Sequence, residues 1–164
     1  MQVEPLLRTE RGEVWIGWVA RPFTLLSPFG GADFALLLHV AGDDVTQDEQ
    51  LELSAAIVAA GCRYAICSGH EATTWDDSLD YAFLETDADL DPPDEDFVMT
   101  GWSEDEDLEE AAWSLLWASD YEGFVARRYL ALVVGGGELD RRALAAALRA
   151  AAAEGGPSRR ARPD

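Results

Sequence analysis

Four short polar stretches hold the residue types from which a chemical site could be built. They are Gly42-Asp43-Asp44, Ser68-Gly69-His70-Glu71, Thr100-Gly101-Trp102-Ser103 and Gly135-Gly136-Gly137-Glu138. Asp43, Asp44 and Glu71 are hard oxygen donors, the kind that hold Mg²⁺ while it keeps several of its waters. With such an ion in place, metal-assisted phosphoryl transfer or hydrolysis becomes available chemistry. Ser68, His70, Thr100 and Ser103 add hydroxyls and an imidazole, and Trp102 adds an aromatic rim for a cleft. The same residue types also have an ordinary use, because Asp and Ser cap helices and close turns.

The remaining motifs are incomplete. The triple glycine precedes a helix but lacks the G-x-G-x-x-G spacing and a phosphate-loop Lys, and Glu138 and Asp140 would repel a phosphate there. No G-x-S-x-G elbow supports a serine hydrolase. His39 and His70 do not combine with Cys62 and Cys67 at zinc-motif spacing. A Cys67–His70 nucleophile pair would need an exposed thiol and a stabilised thiolate, which acidic surroundings oppose. The motifs therefore imply no cofactor, Mg²⁺ being the one ion that the carboxylates suit.

Each polar stretch follows an apolar run, and the elements that position them can be read in turn. Residues 1–13 read as a polar lead-in, and VWIGWVA (14–20) as a strand rich in β-branched and aromatic residues. Residues 22–33 contain Pro22, Pro28, Gly30 and Gly31 without helical periodicity. A connection without a helix predicts that the first strand runs antiparallel to the next one or sits at an edge. FALLLHVA (34–41) is apolar almost throughout, as a strand covered on both faces should be. Thr46 and Glu49 form a capping box, and the helix that follows shows an apolar face of Leu51, Ala55 and Val58 with Leu53 and Ile57. Gly61 ends that helix in a left-handed turn.

Residues 62–68 form the next buried strand, whose odd spacing places Cys62 and Cys67 on opposite faces as reduced, buried thiols. Thr73 and Thr74 mark the start of a second capped helix, which buries Trp75, Leu79, Ala82 and Phe83 and ends near Thr86. Asp87–Asp96 is an acidic loop broken by Pro92-Pro93. A strand at 97–100 leads into a helix over 104–118, with Ser103 and Glu106 as its capping box and Leu108, Ala112, Leu115 and Leu116 on its inner face. A strand at 129–134 and an Ala-rich helix at 139–153 complete the pattern. The expected fold is α/β: a three-layer α/β/α sandwich around a mostly parallel sheet of four to five strands, flavodoxin-like or Rossmann-like, with one domain over 1–153 and a disordered basic tail over 154–164. In such sheets ligands bind beyond the carboxyl ends of the strands, where the four polar stretches would gather.

At CRYAICSGHEATTWDDSLD and FVMTGWSEDEDLEEAAWSLLW the chain resembles a small bacterial α/β family of uncharacterised function, over roughly residues 34 to 134. The resemblance implies the fold and carries no activity.

Composition narrows the partners. The 164 residues carry a net charge of −20, and no Lys or Asn occurs anywhere. The absence of these two residues, whose codons are AT-rich, points to a GC-rich bacterial or archaeal genome. Nucleic acid and anionic membrane are poor partners for such a surface, and a basic protein is a better one. No apolar run is long enough to span a bilayer, and the first residues lack the order of a signal peptide, so a cytoplasmic location is expected. The expected function is a non-enzymatic, acidic protein-interaction module of regulatory, accessory or toxin-neutralising type. The alternative is a small metal-assisted enzyme or ligand-binding domain at the strand carboxyl ends.

Overall fold

The computed structural model describes residues 2–103 and 107–157. Six strands form one sheet: β1 (Gln2–Arg8), β2 (Glu13–Val19), β3 (Phe34–Val40), β4 (Cys62–Gly69), β5 (Met99–Trp102) and β6 (Arg128–Val134). Four helices accompany them: α1 (Gln47–Ala59), α2 (Ala72–Leu84), α3 (Leu108–Trp117) and α4 (Glu138–Glu154). The strand order is β1-β2-β6-β3-β4-β5; β1 is antiparallel to β2 and every other pairing is parallel.

The side-chain alternation of the strands divides the core in two. Leu36, Leu38, Ala65, Cys67, Leu130 and Leu132 pack with Leu53 and Ile57 of α1 and Trp75 and Leu79 of α2. Ala35, Leu37, Tyr64, Ile66 and Ala131 pack with Leu115 and Leu116 of α3 and Leu144 and Leu148 of α4. The chain steps outward from β3 to β5 through α1 and α2 on one face. It then returns to β6 through α3 on the other. A reversal of direction keeps one crossover handedness only if the helix changes face. Counting parallel strands alone, the order is 1-5-2-3-4, which departs from both the flavodoxin order 2-1-3-4-5 and the Rossmann order 3-2-1-4-5-6.

The first 33 residues differ most from the expectation. The lead-in contains an edge strand, β1, which runs through Pro5 and an irregularity between Pro5 and Leu7. Proline is tolerated at an edge, where the lost N–H would face solvent. The next strand, β2, is neither antiparallel to β3 nor at an edge; it lies between β1 and β6, parallel to β6. The connection from β2 to β3 has no helix, yet it covers the sheet. Phe23, Leu25 and Phe29 pack on the same core as α1 and α2, and the Phe29 ring meets Trp15 edge-on at 6.4 Å. Apolar side chains on a loop thus do the work of a crossover helix.

Other boundaries shift for local reasons. Cys62 and Cys67 are both buried in the α1/α2 core rather than on opposite faces. The cause is an irregularity at Arg63, where Phe34 pairs with Cys62 but Ala35 pairs with Tyr64. One extra residue reverses the alternation. The capping box of Thr46 and Glu49 forms as expected, but α1 buries Gln50, Leu53, Ser54 and Ile57, while Ala55 is exposed. Helix α2 begins at Ala72, so Thr73 and Thr74 lie in its first turn, and its cap residue Glu71 adopts φ 50 without a side-chain bond. Strand β5 is displaced to Met99–Trp102, and the acidic loop contains a single 3₁₀ turn at Asp94–Asp96. Helix α3 starts at Leu108 under Asp107, whose carboxylate accepts the N–H groups of Glu109 and Glu110. Glu106 of the expected Ser103–Glu106 box, and the basic residues of the tail, lie outside the described residues. Among the described residues no helix is long and apolar enough to cross a membrane.

Candidate functional site

The place where an open parallel sheet usually binds a ligand is the point at which strand order reverses, here between the carboxyl ends of β3 and β6. In this chain that crevice is closed by backbone. The N–H groups of Ala41 and Gly42 both donate to the Val134 carbonyl, at 3.0 and 3.1 Å. Gly42 and Gly135 are in direct contact: a Cβ on Gly135 would sit 2.9 Å from the Gly42 Cα. Gly135 and Gly136 have φ of 68° and 62°, which glycine adopts without steric cost. The Trp18 indole N–H donates to the Gly135 carbonyl at 2.9 Å, and Asp140 takes the Gly137 N–H at 2.7 Å. The triple glycine therefore serves close packing and its own helix cap, and does not present a free row of N–H donors.

The carboxylates of the first two polar stretches go separate ways. Asp43 is exposed. Asp44 is held by Arg21, whose guanidinium donates to the Asp44 carboxylate at 2.6 Å and to its carbonyl at 2.5 Å. The same guanidinium grips Glu49 with two bonds of 2.6 and 2.9 Å and lies 5.2 Å from the centre of the Phe23 ring. Arg21 and the Thr46 N–H together hold the Glu49 carboxyl down at about 2. This cluster fastens the β2–β3 loop to the start of α1. Glu71 is exposed at the head of α2 and lines a cleft of about 350 Å³ between α1 and α2, together with Gln47, Gln50, Thr74, Asp77 and Ser78. The polar floor of that cleft is self-satisfied, since Gln50 donates to Ser78 at 2.7 Å and Ser78 donates to the Thr74 carbonyl at 2.8 Å. Among the described residues no group of three His, Cys, Asp or Glu side chains is placed to hold a metal ion, so Asp43, Asp44 and Glu71 are not brought together as one.

Ser68 is fully buried and its hydroxyl lies 3.0 Å from Nδ1 of His39, its register partner on β3. Spacing along the sequence could not show this pair, because it is made across two strands. A nucleophilic hydroxyl must reach a substrate, and this one is sealed from solvent. Cys67 is equally buried; burial pushes its thiol well above the ordinary value, and the neighbouring Asp76 adds to the shift. His70 is exposed and joins the fold through its backbone N–H, which donates to the Val40 carbonyl at 2.8 Å.

The third polar stretch leads to residues that the motif reading missed. The Thr100 hydroxyl donates to Asp80 of α2 at 2.6 Å. One turn earlier, Asp76 is 5% exposed, and its Oδ1 has no hydrogen-bond partner among the protein groups. Burial raises the Asp76 carboxyl, and the nearby Asp80 and Asp77 add to the rise. The signal was present as Asp at positions 76 and 80, one helical turn apart and in step with the buried Trp75, Leu79 and Phe83. Beyond Thr100, Trp102 is 44% exposed and Ser103 donates to the Asp107 carbonyl at 3.3 Å.

Charge is divided unevenly along the chain. Between Tyr64 and Ala126 the chain carries 19 Asp and Glu and no Arg or Lys; the rest holds 13 Asp and Glu against all 12 Arg. That segment comprises β4 from Tyr64 onward, α2, the acidic loop, β5 and α3. Arg63, just outside it, anchors the acidic loop by donating to the carbonyls of Phe97, at 3.0 Å, and Glu95.

These features describe a mixed α/β chain, built on a six-stranded, mostly parallel sheet, whose net negative charge comes almost wholly from residues 64–126. It belongs to the family described as a domain of unknown function (DUF7684), whose model matches residues 20–151. The match takes in β3 to β6 and leaves β1 and β2 outside it. No curated protein and no solved structure gives a match.

Proposed function

We propose that this chain is an acidic protein-interaction module that binds a basic partner through the flank formed by α2, the acidic loop, β5 and α3. The observation that carries the reading is the segregation of charge: nearly the whole net charge of −20 arises from residues 64–126. Uniform acidity would serve solubility alone, whereas one-sided acidity creates a directed field that steers and orients an oppositely charged surface. The three-layer arrangement of sheet and helices would serve as a rigid support for that flank. The other reading, a metal-assisted or ligand-binding site at the strand carboxyl ends, draws no support from the backbone contact between Gly42 and Gly135. The test is affinity purification from the source cells at low and at raised ionic strength, beside a variant carrying Asp94→Asn, Glu95→Gln and Asp96→Asn. The expected result is a basic protein that is retained at low salt, released by salt and retained poorly by the variant. Retention of no basic protein at low salt would count against the reading.

A further inference from the structure

We infer that β5 is the docking strand for that partner: it takes up an extended, basic segment of another protein as a seventh strand of the sheet. The inference rests on the reading above and adds the place and manner of binding. Strand β5 ends the sheet, and the two edges are treated differently. At the other edge, β1 carries Pro5, a register irregularity and the charges of Glu4 and Arg8, devices that discourage strand addition. The four residues of β5, Met-Thr-Gly-Trp, include no charge and no proline, and their register with β4 is regular.

The backbone geometry supplies the donors. The Ser103 N–H points inward, to the Cys67 carbonyl at 2.9 Å, and Trp102 is the register partner of Cys67. In a parallel ladder successive residues point their backbone groups to opposite sides. Thr100 and Trp102 therefore direct their N–H and C=O groups away from β4, toward the open edge. Gly101 has little above it, since an added Cβ would meet only the Ile66 side chain, at 3.6 Å. Trp102, 44% exposed, stands at the end of the strand as an apolar anchor.

Charge selects the occupant. Asp94, Glu95 and Asp96 are exposed immediately before β5, and Asp107, Glu109 and Glu110 are exposed soon after it. A second copy of this chain would bring the same carboxylates against themselves, and like charges placed opposite one another disfavour pairing. An extended segment bearing Arg or Lys beside apolar residues fits both the ladder and the field, as in other recognition by strand addition.

The probe is a fluorescent peptide of alternating Arg and Val; the control is the same peptide with alternate backbone nitrogens methylated, which keeps its charge and removes its ladder donors. The full chain is expected to bind the first at least about tenfold more tightly, because each lost ladder bond weakens the complex. Binding should protect the Thr100 and Trp102 amides from hydrogen exchange. Trp102→Pro, which deletes an outward N–H, should weaken binding about tenfold beyond Trp102→Ala. Equal binding of both peptides without protection of the two amides overturns the docking strand and leaves the charge reading standing. Failure of both peptides to bind at low ionic strength overturns the charge reading as well. Protection that appears without peptide, rises with protein concentration and accompanies dimers in sedimentation gives the edge to a second copy, and overturns the proposal.

Discussion

Replacing Asp76 by Asn is expected to stabilise the protein near neutral pH. Asp76 lies on the buried side of α2 between Trp75 and Leu79, 5% exposed, with Oδ1 lacking a partner. Its neighbours Asp77 and Asp80 are also acidic, and the segment around it contains no arginine that could neutralise it. Burial, joined by those carboxylates, raises its folded-state value. The sign follows from proton binding. A group raised on folding holds its proton more firmly in the native state, so its favourable contribution is complete below the unfolded value, near about 4, and is lost as pH rises through the folded value. Above the folded value the wild type therefore carries a buried, incompletely bonded carboxylate, which the unfolded chain leaves in water. Asn keeps an oxygen in that place and removes the charge, so the gain is the difference between burying a carboxylate and burying an amide, on the order of 1–2 kcal/mol. A gain of about 1–2 kcal/mol corresponds to a rise in Tm of about 2–8 °C for a chain of this size. Thermal melts of wild type and Asp76→Asn, followed by circular dichroism from neutral pH to about pH 4, are the assay. The gain should shrink as pH falls, because the wild-type carboxyl becomes neutral too. A variant less stable than wild type at neutral pH, or a gain that does not change with pH, would refute the reasoning.

Other parts of the structure yield further expectations. Gly135→Ala places a side chain at φ 68° and 2.9 Å from the Gly42 Cα, so urea unfolding should show a loss of about 2 kcal/mol or more. In an NMR titration the Glu49 carboxyl should titrate at about 2 in the wild type and move up toward its ordinary value in Arg21→Gln, with the Thr46 N–H still bonded to it. Arg63→Met removes the donors to the Phe97 and Glu95 carbonyls, and hydrogen exchange should quicken across the acidic loop while the β3–β4 pairing stays protected. Trp117→Phe loses the bond of 2.9 Å to the Ala151 carbonyl and should cost about 1 kcal/mol by the same unfolding assay, with α3 still packed on α4.

The central elements were legible because their signals are local. A fully apolar run such as Phe34–Val40 implies burial on both faces, and a capping box such as Thr46–Glu49 is satisfied within four residues of chain. The misread elements depend on partners distant in sequence. Strand β1 is half polar and contains a proline, and becomes a strand through β2 and the edge position. The direction of β2 depends on a loop whose phenylalanines find the sheet, which periodicity does not record. Arg63 shifts the phase of the cysteines through an irregularity that exists relative to β3. For the site, residue types alone suggested a gathering of Asp43, Asp44 and Glu71. The structure gives Asp44 to Arg21, a residue 23 positions away, and leaves Asp43 and Glu71 exposed.

The glycines that close the switch point and the charge on the β5 flank bear on each other. A pocket at the strand reversal needs the β3 and β6 turns to stand apart, whereas here Gly42, Gly135 and Gly136 let them touch, and the Ala41 and Gly42 N–H groups bond across the contact to the Val134 carbonyl. Such a seam binds two halves of the sheet: β1, β2 and β6 on one side and β3, β4 and β5 on the other. It therefore holds rigid the support from which α2 and β5 project. Recognition by a preformed edge gains from that rigidity, since a partner strand need not order the strand it joins. Loosening the seam with Gly135→Ala would then be expected to weaken capture of the basic peptide in a variant whose β5 sequence and charge are untouched. If that variant, while still folded, bound the peptide as the wild type does, seam and edge would be independent features of the same sheet.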